Sequence, residues 1–251
     1  MALELAAMGN GKTIILAGMA GGQVRVGRVI AAFKRSFYVA DAEGRIACAG
    51  GPDLGAGPLN ILYAVCPPIP DVGAAWRFDL NNVPIWRPAP WPHFDAPASR
   101  RVAAAIPRDK GLLTPPDGDP FKEAAQAPLA ALALWQGGPT PPILANLLGL
   151  GPGLTPAGDD ALGGAALALR ACGRMEDADA LRKFLGARMA TATSVISAAH
   201  LSAALDGMGA QALHTILADI VRGRTPELSP LDAIGHSSGY DALAGILAVL
   251  T

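Results

Sequence analysis

The chain has 251 residues, of which 51% are apolar and 16% are charged. This composition argues against an intrinsically disordered chain, and the length suffices for a sizeable core in one large domain or two small ones. With 20 basic and 21 acidic residues, the chain lacks the positive charge that a nucleic-acid backbone or an anionic membrane would attract. We therefore expect neither nucleic acid nor a membrane as a partner.

The N-terminal residues contain two features that resemble known signals without matching them. Glu4 stands where a signal peptide carries basic residues and Lys12 interrupts the apolar run, so we predict no signal peptide. The stretch GNGKT, which includes Lys12, ends like a phosphate-binding P-loop. However, the first glycine of that motif would fall at Ala6, and no strand precedes it. We interpret this stretch as a surface turn.

The three cysteines do not define a disulfide framework or a zinc site. Cys48, Cys66 and Cys172 are scattered and form neither a CxxC motif nor a Cys/His pair. A reducing, cytoplasmic environment fits this usage best. No run of the chain approaches the roughly 18 apolar residues of a transmembrane helix.

In chain order, the elements indicate an α+β protein. Residues 1–95 are predicted to be β-rich, because short segments such as VRVGRVIAAF and SFYVAD alternate with Gly, Pro and Asp. Residues 96–120 belong to a Pro-rich passage in which we predict a crossover without long regular structure. Residues 121–251 are predicted to be mainly α-helical, with buried helices rich in Gly and Ala.

The motif GLGPGLTPAGDD predicts the start of a buried helix. We expect Thr155 to cap this helix, Pro156 to take its first position, and Asp159 and Asp160 to lie in its first turn. The apolar sequence that follows predicts burial on all sides, and buried carboxylates need partners. The two aspartates are therefore expected to meet a ligand, a cation or hydroxyl donors. The alternative is that they only favour the helix start.

The motif GHSSGYDALAG, near the C-terminus, repeats this pattern. Aligning residues 158–164 with residues 239–245 gives identity at five of seven positions and pairs Asp160 with Asp241. Ser238 is predicted to cap the second helix, with Asp241 returning a bond to the amide of the cap. We infer that the two helices start side by side and face one cavity. The alternative is chance similarity between helices rich in small residues.

A third candidate element is the stretch TATSVISAAHL. Thr193, Ser197 and His200 are spaced to share one face of a helix. They are candidates for the same site. The alternative is that they are hydrogen-bonded groups of the core.

In order and spacing, GLGPGLTPAGDD, TSVISA and IGHSSGYDALAG resemble the AllH (YlbF-like) family of bacterial proteins, which has also been described as a family of carboxylases. The likeness covers the helical half. The N-terminal half agrees only in its β character and in the segment GAGPLNI. The chain departs from the family pattern at Ala157, where Ser is usual, and at His236-Ser237, where Thr-Ser is more usual.

The resemblance implies a subunit of oxamate carbamoyltransferase, an enzyme of allantoin degradation and hence of purine catabolism. With two other subunits, that enzyme phosphorolyses oxalurate to oxamate and carbamoyl phosphate. The implied partners are therefore other enzyme subunits in a hetero-oligomer, a small oxalurate- or oxamate-like substrate, and phosphate.

In this interpretation Asp159, Asp160 and Asp241 are the candidate catalytic residues. They would act as bases toward a substrate N–H, or Asp159 and Asp160 would hold a cation such as Mg²⁺ that bridges to phosphate. Backbone amides and polar side chains of the helix starts would bind the substrate. These candidates are Gly151, Gly153, Thr155, Gly158, Thr193, Ser197, His236, Ser237, Ser238 and Gly239.

Two other functions stay open from the sequence. The first is a non-catalytic subunit that shapes the active site of a partner, because no Cys or Ser has a recognisable base beside it. The second is a Mg-dependent carboxylase-like enzyme, although the sequence contains no biotin or nucleotide signature.

Overall fold

The computed structural model describes residues 13–251, so Glu4, Ala6 and Lys12 lie outside the described residues. The chain forms two compact units, the first ending at Arg87 and the second running from Pro88 to Thr251. The first unit is built on a β-sheet and the second on α-helices, which confirms the predicted α+β class. None of the described helices has the length and apolar character needed to cross a membrane.

The described residues of the first unit form one mixed sheet of seven strands in the order β6-β2-β3-β4-β5-β1-β7. Its neighbouring strands are antiparallel, except that β4 pairs with β5 and β1 with β7 in parallel. The strands are β1 (Ile14–Gly18), β2 (Val26–Ala32), β3 (Ser36–Ala40), β4 (Ile46–Gly50), β5 (Asn60–Tyr63), β6 (Ala75–Arg77) and β7 (Ile85–Trp86).

An aromatic cluster anchors the core of this sheet. Phe37 packs edge-on against Trp76 with 4.7 Å between the ring centroids. The indole Nε1 of Trp76 donates a hydrogen bond of 3.3 Å to the Tyr63 hydroxyl. All three side chains are buried, so the hydrogen bond satisfies the polar atom of a large aromatic residue inside the core.

The second unit contains seven α-helices, of which α3 is almost entirely buried. In α3 only Ala157, Asp160 and Arg170 are partly exposed, which agrees with the burial that the apolar sequence predicted. The helices are α1 (Ala96–Ala105), α2 (Pro120–Leu134), α3 (Ala157–Ala171), α4 (Met175–Ala192), α5 (Val195–Leu205), α6 (Gln211–Val221) and α7 (Ser238–Leu250).

Helix α1 lies inside the Pro-rich passage, where we predicted no long regular structure, so this prediction was wrong. The carboxylate of Asp95 accepts a hydrogen bond of 3.0 Å from the Ala98 amide and caps the helix. Pro97 falls in the first turn, where its missing N–H breaks no helical hydrogen bond. The alanines that follow favour helix.

Helices α3 and α7 pack against each other through reciprocal glycines. A Cβ atom on Gly164 would lie 1.9 Å from the carbonyl oxygen of Ala242, and one on Gly245 would lie 1.8 Å from that of Ala161. Gly164 and Gly245 are equivalent in the sequence alignment, as are Ala161 and Ala242. The two motifs therefore occupy equivalent positions in one closely packed helix pair.

We expect Gly245→Ala to lower the free energy of unfolding by about 1–3 kcal/mol, because the added methyl group must push two helix backbones apart. The matched control is Gly186→Ala in α4. A Cβ there would meet no atom within 4 Å, so the higher helix propensity of alanine should stabilise the chain by about 1 kcal/mol. Urea denaturation of both variants measures these effects. Equal stabilisation by the two substitutions would contradict the close packing.

Candidate functional site

The two motif helices begin one residue away from the predicted positions. The N-caps of α3 and α7 are Pro156 and Ser237, and neither side chain makes a capping hydrogen bond. The predicted caps at Thr155 and Ser238, and the capping box of Asp241, were therefore wrong. The reason is that the carbonyl oxygen of Pro156 already accepts the Asp159 and Asp160 amides at 2.9 and 3.2 Å.

The same pattern recurs in α7, which keeps the two motifs equivalent. The carbonyl oxygen of Ser237 accepts the amides of Tyr240 and Asp241 at 2.8 and 2.9 Å. Asp160 and Asp241 are thus each the fourth residue after the N-cap of their helix. The alignment made from the sequence holds at the level of the backbone.

The helix starts lie side by side. The hydroxyl oxygens of Thr155 and Ser238 are 3.0 Å apart and share a hydrogen bond, although 83 residues separate them in the sequence. The Ser238 hydroxyl also lies close enough to the Asp160 carboxyl group to lower its pKa through a hydrogen bond. Thr155, Asp160 and Ser238 therefore lie close together, and the two helices start side by side as the repeat predicted. The shared cavity stays a prediction.

Glycines make the loop before α3 possible. Gly149, Gly151 and Gly153 have φ angles of 70°, 110° and 97°, which residues other than glycine rarely adopt. A Cβ on Gly149 would also lie 2.1 Å from the carbonyl oxygen of Ala192. In residues 13–251, the amides of Gly151 and Gly153 donate to no protein acceptor. Their N–H groups therefore have no competing acceptor among the described residues.

Gly158 and Gly239, two predicted substrate-binding residues, are packing residues in the structure. A Cβ on Gly158 would lie 2.0 Å from the Leu147 carbonyl oxygen, and one on Gly239 would lie 2.6 Å from that of Leu231. Each glycine lets the segment before its helix pass close to the helix backbone. Close packing thus explains these two glycines without a ligand.

Asp159 is buried, with 2% of its surface exposed, and both of its carboxylate oxygens accept hydrogen bonds. Oδ1 accepts the Gly149 amide at 2.8 Å, and Oδ2 accepts the Ser197 hydroxyl at 2.6 Å as well as the Thr193 hydroxyl. These are the hydroxyl donors that a buried carboxylate requires. Asp159 therefore ties the glycine loop to the junction of α4 and α5.

Thr193, Ser197 and His200 do not share one helix, contrary to the prediction. Helix α4 ends at Ala192, and α5 starts after Ser194, whose hydroxyl accepts the Ser197 amide at 3.0 Å. Serine competes for the backbone in this way and so favours a helix start over a helix interior. Burial lowers the pKa of His200 on α5 to about 4, so its imidazole is neutral at pH 7.

Asp160 differs from its neighbour. Its Oδ2 atom is buried and has no hydrogen-bond partner among the described residues. Burial raises the pKa of Asp160 well above the usual range, the Ser238 hydrogen bond opposes that rise, and the charges of Asp241 and Asp159 add to it. The carboxyl group is therefore held toward its protonated form, in which it can donate a proton.

Asp241 is buried, with 2% of its surface exposed, and has hydrogen-bond partners. Its Oδ1 accepts the Leu112 amide at 2.8 Å. Burial raises the pKa of Asp241, while hydrogen bonds from the Ser237 hydroxyl and the Leu112 amide, and the nearby Lys122 and His236 side chains, oppose the rise. His236 and Ser237 thus lie at the start of α7, where the sequence placed them.

Sequence reasoning missed the turn Lys110–Thr114, which packs against the start of α7. Gly111 has a φ of 55°, and a Cβ there would lie 2.5 Å from Oδ1 of Asp241. The ammonium group of Lys110 donates to Asp232 at 2.7 Å and to the Tyr240 hydroxyl at 3.0 Å. No motif marks this turn, because its partners lie more than 120 residues further along the chain.

The predicted magnesium site is not assembled by these side chains alone. In the part of the chain that the structure describes, no group of three or more His, Cys, Asp or Glu residues could hold a metal ion. The oxygens of Asp159 are already engaged by three protein donors. Binding of Mg²⁺ at Asp159 and Asp160 stays a prediction.

The structure thus brings together the glycine loop before α3, the paired starts of α3 and α7, and the Asp160 carboxyl group. The family model of the oxamate carbamoyltransferase subunit AllH matches residues 147–250, which contain both motifs. The likeness to the AllH family is therefore confirmed over that segment. No solved structure matches the chain.

Proposed function

We propose that the chain is a subunit of an oxamate carbamoyltransferase and that the joined starts of α3 and α7 bind its carbamoyl substrate. The observation that carries the proposal is the meeting of Thr155, Asp160 and Ser238, with 3.0 Å between the two hydroxyl oxygens. The family match over residues 147–250 supports the reaction class.

The proposed reaction is phosphorolysis of oxalurate. A phosphate oxygen attacks the carbamoyl carbon, the bond from that carbon to the oxamate nitrogen breaks, and the nitrogen takes up a proton. The products are carbamoyl phosphate and oxamate. Negative charge develops on the carbamoyl oxygen during the attack, and the free amides of Gly151 and Gly153 are suited to stabilise it.

Asp160 is the residue we assign to the proton transfer. Its protonated carboxyl group donates a proton to the departing nitrogen and recovers one from the hydroxyl of the attacking phosphate. The number of protons is then unchanged over one turnover. The buried Oδ2 atom has no hydrogen-bond partner among the described residues, which supports this role because no protein group competes for the proton of the carboxyl group.

A non-catalytic role is the second candidate, and a separate observation favours it. Asp159 and Oδ1 of Asp241 are bound by donors of the chain itself, as expected for carboxylates that hold a scaffold together. In that case the helix starts would shape or complete a site whose catalytic groups belong to another subunit.

The test is an assay of the complete enzyme, assembled with its partner subunits. Phosphate-dependent breakdown of oxalurate should require this chain, and Ser238→Ala should raise the KM for oxalurate about 10-fold, since one hydrogen bond to the substrate is lost. Thr215→Ala in the exposed part of α6 is the control and should change nothing. Full activity without this chain would refute the proposal, and assays with and without Mg²⁺ decide the metal prediction.

A further inference from the structure

Lys122, in the first turn of α2, is a half-buried cation without a carboxylate partner. Its ammonium group donates to the Thr114 hydroxyl at 2.5 Å. None of the ion pairs in residues 13–251 includes it. The ammonium group lies near Asp241 but pairs with none of the described carboxylates, so it is able to bind an anionic ligand.

Contacts place this lysine beside the start of α7. The Thr114 hydroxyl that receives its bond donates in turn to the Gly111 carbonyl at 3.0 Å, and Gly111 lies directly against Asp241. The Lys122 charge is close enough to lower the pKa of Asp241. Lys122 therefore lies near Asp241 at the start of α7.

Lys110, in the same turn as Thr114, provides a comparison because the partners of its ammonium group lie within the protein. Its ammonium group forms an ion pair with Asp232 at 2.7 Å and lies over the Tyr240 ring, 4.5 Å from its centroid. Its charge is neutralised within the chain. Two lysines thus contact this turn: Lys110 is paired within the protein, whereas Lys122 of α2 donates to the Thr114 hydroxyl.

We propose that Lys122 binds an anionic group of the ligands of this site, either the carboxylate of the carbamoyl substrate or the phosphate. The inference rests on the proposed function and adds its substrate class. A lysine ammonium group is a compact point charge that suits either anion. It would make the site select carbamoyl compounds that carry a negative charge over neutral ureas.

The experiment compares Lys122→Gln with Lys122→Arg in the complete enzyme, and Lys183→Gln, at an exposed position of α4, is the control. We expect Lys122→Gln to raise one KM at least 10-fold, with kcat less affected and partial recovery in Lys122→Arg. A rise in the KM for oxalurate assigns the carboxylate, and a rise in the KM for phosphate assigns that anion. Unchanged values of both would overturn the inference.

A second measurement separates this inference from the proposed function. Calorimetric titration of the full chain with oxamate and with inorganic phosphate reports anion binding without turnover. If the complete enzyme shows no carbamoyl transfer, the proposed function fails. Loss of anion affinity in Lys122→Gln would still support this inference, and unchanged affinity for both anions would refute it. Lys122→Met, which keeps the apolar stem, replaces the Gln variant if that variant is unstable.

Discussion

Replacing Asp159 with alanine should lower the free energy of unfolding by about 3–5 kcal/mol, because a buried amide and two hydroxyl groups lose their acceptor together. These donors come from the glycine loop, from the end of α4 and from α5. The loss should therefore loosen the loop as well as the helix junction. Urea denaturation followed by circular dichroism measures the effect.

Two further variants, with smaller expected losses of stability, serve as comparisons. Asp159→Asn should cost about 1–2 kcal/mol, since the amide oxygen still accepts and the hydroxyls can turn to accept from its NH₂ group. Asp179→Ala removes an exposed aspartate of α4 that pairs with Arg170 and should cost at most about 1 kcal/mol. A loss below about 1 kcal/mol in Asp159→Ala would mean that Asp159 contributes only a favourable charge at the helix N-terminus.

Asp160→Asn should lower turnover by on the order of 100-fold or more, because the amide cannot give up and recover a proton. The same change should stabilise the chain at neutral pH. The pKa of Asp160 is raised in the folded state, so ionising its carboxyl group costs stability as the pH rises above about 4. The advantage of asparagine should therefore vanish below about pH 4 and grow up to the raised pKa.

Turnover of the unchanged enzyme provides an independent check on this residue. If Asp160 donates its proton, turnover should fall as the pH rises through the raised pKa. The Asp160→Asn variant should lose that alkaline limb along with most of its activity. Asp179→Asn is the matched control. Near-normal turnover in Asp160→Asn would contradict the proton-transfer role of Asp160 and favour a non-catalytic role for the chain.

The sequence could predict the side-by-side helix starts because the repeat lies within short contiguous segments. The glycine-to-aspartate spacing determines which residues of α3 and α7 are equivalent, and Gly164 and Gly245 show that equivalence in the packing. The cap positions were wrong by one residue. Pro156 keeps an extended ψ of 141°, and its carbonyl oxygen begins the helix where the sequence favoured a hydroxyl.

The different environments of Asp159 and Asp160 could not be predicted from two adjacent letters. Successive residues of a helix point about 100° apart. Asp159 therefore faces the junction of α4 and α5, while Asp160 faces Ser238 of α7. Which direction meets donors depends on where distant helices pack.

The turn Lys110–Thr114 and Lys122 were also missed, for a related reason. The turn contacts Asp232, Tyr240 and Asp241, which lie far along the sequence, and Lys122 approaches Asp241 only through the packing of this turn. Such contacts leave no periodic pattern. The break between α4 and α5 has a local signal, since Ser194 and Ser197 fit a helix start. Interpreting Thr193 to His200 as one helical face overlooked it.

A crystal structure of the full chain grown with oxamate and phosphate would test the central claim, that the starts of α3 and α7 form one ligand site. The account predicts oxamate between the two helix starts, within hydrogen-bond distance of Thr155 or Ser238 and of Asp160, with an anionic group at Lys122. Oxamate bound on another surface of the chain, with the space between these helix starts left to solvent, would contradict it.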